Sequence, residues 1–249
     1  MSSGPSGSKP PGSGDATTGQ KLLGYMFAAI LVFGIAAALY LALGPGSDDG
    51  GPTGNSHIAV NSGSTNGVKP DNRLGTEVDL GTVPPLAQAA KDAQCTLRLN
   101  LPNEGQNHLQ PEDPVPDYKT NPPTSGDHIA PPLQQADGAY LDPAAPVDIV
   151  HSLEHGRINV QYSPDLPIKG QLELKGLYDD NYSGALLYPN PDMPYMVAAT
   201  AWQNLMGCKT YEGVKTLRAI KAFGAEYLGK APEPLSVFPS LTGPRFTDS

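Results

Sequence analysis

Positive charge is scarce in this chain. Lys and Arg number 16 against 25 Asp and Glu, a net charge of -9, and the basic residues form no cluster. A phosphate backbone is bound by a basic stripe, so nucleic acid is excluded as a partner. The acidic balance gives no reason to expect binding to anionic lipid heads; it serves solubility. No Gly-x-x-x-x-Gly-Lys-[Ser/Thr] loop occurs, which removes nucleotide binding of that type. Ser125 and Ser152 are available hydroxyls, but neither lies in the Gly-x-Ser-x-Gly elbow that exposes a nucleophile. The chain has 1 Trp, Trp202, which ends an apolar run and reads as core. No internal repeat of useful length exists. Cysteines number only 2.

Glycine and proline are abundant instead, at 28 and 27 residues, and they are unevenly placed. Residues 1–20 and 44–75 are rich in Gly, Ser, Pro, Asn and Asp. Such segments cannot bury enough apolar surface to offset their ordering entropy. Between them, residues 22–43 (LLGYMFAAILVFGIAAALYLAL) carry no charge. As helix they would run about 33 Å, enough to cross a bilayer, with Tyr25 and Tyr40 near the two interfaces. A cleaved signal peptide is the weaker reading, because the apolar run exceeds an h-region and a tail of about twenty residues precedes it. Lys9 and Lys21 precede the span, whereas Asp48 and Asp49 follow it, so the N-terminus is expected in the cytoplasm. The expected organisation is a disordered cytoplasmic tail (1–21), a transmembrane helix (22–43), a disordered linker (44–75) and a folded extracytoplasmic domain (76–245). An oxidising exterior favours a Cys95–Cys208 disulfide over two buried thiols.

Within the folded part, Leu86 to Ala93 suits a short helix opened by Pro84-Pro85. Cys95 to Leu101 alternates weakly, as a half-buried strand does. Residues 102–146 hold ten prolines, which forbid a long helix or a central strand. They read as a long loop, ordered by what Tyr118, Ile129, Leu133 and Tyr140 can bury and by the turn formers of Asn121 to His128. Val147 to His155 suits a helix stopped by Gly156. Ile158 to Tyr162 reads as a strand, Leu166 to Tyr178 as a helix, and Leu186 to Tyr188 and Tyr195 to Trp202 as strands joined by the Asn190-Pro191-Asp192 turn. Tyr211 to Leu228 has Val214, Leu217, Ile220, Phe223 and Tyr227 at helical spacing, with Gly229 and Pro232 as a stop. The sum is an α+β domain: a small, mostly antiparallel sheet, flanking helices and a long proline-rich loop.

Four of the 5 histidines, His108, His128, His151 and His155, fall close together in the chain. On a helix His151 and His155 are i and i+4, with Glu154 on the same side. That arrangement offers two imidazoles to one metal and a carboxylate beside it. His-x-x-Glu-His also matches the inverzincin motif, in which Glu is the general base. Here Gly156 ends the helix at once, and a later acidic ligand would have to be Glu212 or Glu226. The better-founded ligand set is His128, His151 and His155, with His108 and Glu154 in reserve. Such imidazoles suit a divalent ion, zinc or copper. Met193, Met196 and Met206 could add thioethers for copper(I), although Met is usually core filler. Other readings stand beside this one. The histidines could only brace the loop, in a domain that docks on a membrane-protein partner. They could serve metal-free acid–base catalysis, or a metal-dependent hydrolase with Glu154 as base.

Several stretches together carry a resemblance. They are Asn121-Pro122-Pro123-Thr124-Ser125-Gly126-x-His128, Gly138-x-Tyr140, Val150-His151-Ser152-Leu153-Glu154-His155-Gly156, Ala199-Thr200-Ala201-Trp202 and Pro232-Glu233. Over about residues 80–235 the chain resembles the domain of unknown function 3105 family, bacterial and mainly actinobacterial proteins that typically carry one N-terminal membrane span. The resemblance implies the single-pass topology above and no particular activity. One departure is Asp127, where the pattern would have Pro, which sets a carboxylate next to His128.

Overall fold

Ile158-Asn159-Val160-Gln161-Tyr162 alternates in polarity, yet all five residues are buried. A strand with both faces covered lies between two layers, and this one is also paired on both edges. The computed structural model describes Met1, residues 65–233, Leu235 and residues 241–248. Among the described residues four helices run α1 Leu86–Asp92, α2 Pro146–Glu154, α3 Ile168–Asp179 and α4 Val214–Tyr227. Eight strands lie among the same residues: β1 Cys95–Arg98, β2 His108–Leu109, β3 His128–Ile129, β4 Gly138–Ala139, β5 Ile158–Tyr162, β6 Ala185–Pro189, β7 Val197–Ala201 and β8 Asn204–Cys208. The main sheet has the order β1-β8-β7-β5-β6-β4, while β2 and β3 form a separate parallel pair. From β1 to β5 the neighbours are antiparallel, and β5-β6-β4 are parallel. The expected α+β class with a mostly antiparallel sheet is what forms.

The alternation in β5 sorts two layers, because successive side chains leave opposite faces. Ile158, Val160 and Tyr162 join Val197, Ala199, Met206, Leu187 and the apolar faces of α3 and α4 in the main core. Asn159 and Gln161 point the other way, under α2 and the proline-rich segment. There Asn159 Nδ2 donates to Ile149 O of α2 at 3.0 Å. Leu186 and Tyr188 pack on Ile149 and Tyr140 on that side.

The strands expected at Leu186 to Tyr188 and Tyr195 to Trp202 form as β6 and β7, with β5 between them in the sheet. Two features were not expected. Strand β8 has no forecast in the sequence, because no Gly or Pro marks its turn. The two-residue loop Trp202-Gln203 puts Gln203 at φ 59, a conformation non-glycine residues seldom take. Bonds fix it there: Gln203 N donates to Thr124 O at 2.9 Å, Leu101 N to Gln203 O at 2.9 Å, and Gln203 Nε2 to Leu101 O at 2.7 Å. Residues 65–75, read as the end of a tether, lie on the domain. Asp71 N donates to Ala139 O and Leu141 N to Lys69 O, both at 2.8 Å, so this stretch pairs with the edge at β4. Backbone pairing of this kind needs no apolar side chains, which is why composition did not reveal it. The expected membrane span, the rest of the linker and the tail after Met1 lie outside the described residues. Among the described residues no helix is long and apolar enough to cross a membrane.

Candidate metal centre

Helix α2 opens on Pro146 at its first position, where the missing N–H costs nothing. It closes in a Schellman motif: Arg157 N donates to Ser152 O at 3.2 Å, and Gly156 N to Leu153 O at 2.9 Å. Gly156 takes φ 78 to allow this. His151 and Glu154 thus lie in the last turn, and His155 is the cap residue. The two imidazoles meet as the i, i+4 spacing demands, with Nε2 atoms 3.1 Å apart.

The proline-rich segment supplies the rest through β2 and β3. Their parallel register sets His108 opposite His128, and the rings lie edge to face with centroids 5.1 Å apart. Tyr118 Oη donates to Asp127 O at 2.7 Å, Glu104 N donates to Ser125 Oγ at 3.1 Å, and Asp127 Oδ1 accepts from Asn107 N at 2.9 Å. Asp127 therefore staples β3 to β2. It does not join the histidines as a ligand. Trp202 closes the back, its ring perpendicular to His128 at 6.4 Å. It is buried core, as its place at the end of β7 suggested.

Glu154 is the hub. Its Oε2 lies 2.9 Å from His128 Nε2 and 3.6 Å from His108 Nε2, and its Oε1 accepts from Gln106 Nε2 at 3.4 Å. His108, His128, His151 and Glu154 each offer a ligand atom, all within 4.8 Å of one another. Ligands about 2.1 Å from one zinc lie roughly 3 to 3.4 Å apart, so this spread needs only small adjustment to close on an ion. The side chain of His128 is 0% exposed and that of His108 41%, so the group opens to solvent at His108.

His128 has an unusual demand. Its Nδ1 lies 2.8 Å from Gly126 O, and its Nε2 2.9 Å from Glu154 Oε2. Both are acceptors. A neutral imidazole has one N–H to give, so the second contact needs another proton or a cation shared with Glu154.

Electrostatics prepare the group for a cation. Burial drives the His151 imidazole down to about 3, helped by His128, His155 and His108 around it. Burial, then the Arg157 charge, takes His155 down to about 4. For Glu154 burial acts upward, but the hydrogen bond and charge of His128, with His108 and His151, outweigh it and hold the carboxyl below its usual range. At neutral pH the centre therefore presents an anionic carboxylate and two neutral imidazoles.

The candidate donors fall into two groups. His108 and Glu154, held in reserve by the sequence reading, sit with His128 and His151. His155 falls in a second group with Glu154 and Glu233, whose ligand atoms also lie within 4.8 Å. The sequence reading gave Glu233 no role; only the adjacent Pro232-Glu233 in the resembling stretches marked it. Neither group contains cysteine. Met206 is in the main core and Met196 packs against it, which fits core filler for these two. Glu226 pairs with Lys230 at 2.7 Å, and neither it nor Glu212 belongs to a group. Ser152 Oγ donates to Ile149 O at 2.7 Å, and Ser125 is occupied as described; both hydroxyls are structural. Cys95 and Cys208 form the expected disulfide, closing 113 residues between directly paired positions of β1 and β8.

Among known proteins, the family model described as a protein of unknown function (DUF3105) matches residues 108–237, more than half of the chain. The match takes in β2, β3, α2 and Glu233, hence every residue of both groups. No curated protein and no solved structure matches the chain.

Proposed function

We propose metal binding as the role of this chain, which belongs to the DUF3105 family. The ion is divalent, zinc first and copper(II) second by its nitrogen-and-oxygen donors. It is held by His108, His128 and His151 with Glu154. One observation carries the reading: three imidazoles and the buried Glu154 carboxylate, from three separate elements, bring their ligand atoms within 4.8 Å of one another. The domain is carried outside the cell on residues 22–43 as a single-pass anchor. The charge asymmetry of the flanks supports that placement, and the Cys95–Cys208 disulfide suits an oxidising compartment.

With Glu154 engaged by two imidazoles, its place is that of a ligand rather than a free general base, so hydrolysis is not part of the reading. The same hydrogen bonds favour a second reading, in which the network only braces the proline-rich segment and the anchored domain serves a membrane-protein partner. Metal content separates the two. The full-length chain, purified without chelator, should carry stoichiometric metal and gain several degrees in melting temperature on zinc addition. His128→Ala should abolish both effects. A metal-free chain whose melting temperature zinc leaves unchanged would leave the bracing network as the account.

A further inference from the structure

After α4 the chain returns to the end of α2. Gly229 N donates to Gly156 O at 2.8 Å, and Glu233 N donates to Glu154 O at 3.1 Å. The approach is close enough that a Cβ on Gly156 would stand 2.7 Å from Gly229 Cα. This clamp brings Glu233 Oε2 to 3.3 Å from His155 Nδ1. The result is two carboxylates and an imidazole, their ligand atoms within 4.8 Å, beside the four-donor group and sharing Glu154 with it.

Two carboxylates this close need positive charge between or beside them. Among the described residues, the ion-pair partners of Glu154 are His108 and His128, and that of Glu233 is His155. Among the described residues no Lys or Arg pairs with either. On the His155 side as on the His128 side, the carboxylate oxygens thus have only imidazoles as ion-pair partners.

We infer that the centre is built for two divalent cations bridged by Glu154, the second held by Glu154, His155 and Glu233. The inference rests on the metal reading above. A carboxylate has two oxygens and can join ions about 3.5–4 Å apart, the spacing of two-metal sites. The two positions differ in character. The first is rich in imidazole and buried. The second has two carboxylates and one imidazole, and the Glu233 side chain is 42% exposed. Oxygen-rich donor sets accept manganese or magnesium as well as zinc, so the second ion is the more exchangeable.

The test is a count. The metal-stripped full-length chain is titrated with zinc, and bound ions per chain are read by native mass spectrometry. Wild type should saturate at two, filled in sequence. Glu233→Gln and Glu233→Ala should each saturate at one, the tighter ion retained, with metal-free melting temperatures equal to wild type. Glu154→Gln should weaken both ions. Wild type saturating at one ion that His128→Ala removes would overturn the second position and leave the first. Two ions persisting in both Glu233 variants would overturn it too. No bound zinc in wild type would remove both readings together.

Discussion

Glu154 illustrates how one residue acquires a role its neighbours decide. Spacing alone put it on the same side of a helix as His151 and His155. It could not say which imidazoles would engage it, because His108 and His128 arrive from a segment with no periodicity to read. That choice depends on the β2–β3 register, which no local pattern encodes. The residue-scale consequence is a pH dependence. In the metal-free protein His151 is held at about 3 and His155 at about 4, against 6.5 for an ordinary imidazole. Between those values the unfolded chain binds protons the folded one does not, so stability rises with pH across the window. It is fully present above about 6.5 and is lost as pH falls towards 4 and then 3. The lowered Glu154 carboxyl acts in the same direction below 4.5. Denaturant midpoints of the metal-free chain should therefore fall from pH 7 to pH 5, and His151→Gln should flatten part of that slope. A wild-type midpoint indifferent to pH in this range would contradict the buried, neutral state of these rings.

At the scale of elements, what could be read locally came out well. The stop at Gly156, the prolines opening α1, and the apolar spacing of α4 all rest on interactions within a few residues. What failed depended on distant partners. Strand β8 is reversed by a non-glycine residue held at φ 59 through bonds to Leu101 and Thr124. Residues 65–71 became part of the fold by pairing backbone with an edge. Gly156 belongs to both classes. Its left-handed φ of 78 was legible as a helix stop, whereas its contact with Gly229 was not. Gly156→Ala should cost about 1–2 kcal/mol for the backbone conformation alone. The added methyl would also push residues 229–233 away from α2 and carry Glu233 from His155. The expected outcome is a lower melting temperature with selective weakening of the more exchangeable ion. Equal weakening of both ions would mean that the Gly156–Gly229 contact does not position Glu233.

At the scale of the whole molecule, the metal centre and the disulfide occupy different parts of the sheet. The cystine joins Cys95 on the edge strand β1 to Cys208, at the opposite end of β8 from the Trp202 turn. The histidines hang from that turn's side, through Trp202 and the proline-rich segment. The two devices should therefore act independently. The disulfide closes 113 residues, and a loop of that order restricts the unfolded chain by about 4–5 kcal/mol in the chain-entropy model, with measured losses of about 2–5 kcal/mol when such bridges are removed. Cys95→Ser with Cys208→Ser should lower stability by that amount while leaving zinc stoichiometry and affinity within about twofold of wild type, since distant sites are nearly additive. The measurement is a denaturant titration with and without zinc for both proteins. The stabilisation by zinc should be the same size in each, displaced to a lower baseline in the double variant. If that increment instead collapsed with the disulfide, the sheet and the proline-rich segment would be one cooperative device, with β8 transmitting the state of the cystine to His128 through Trp202.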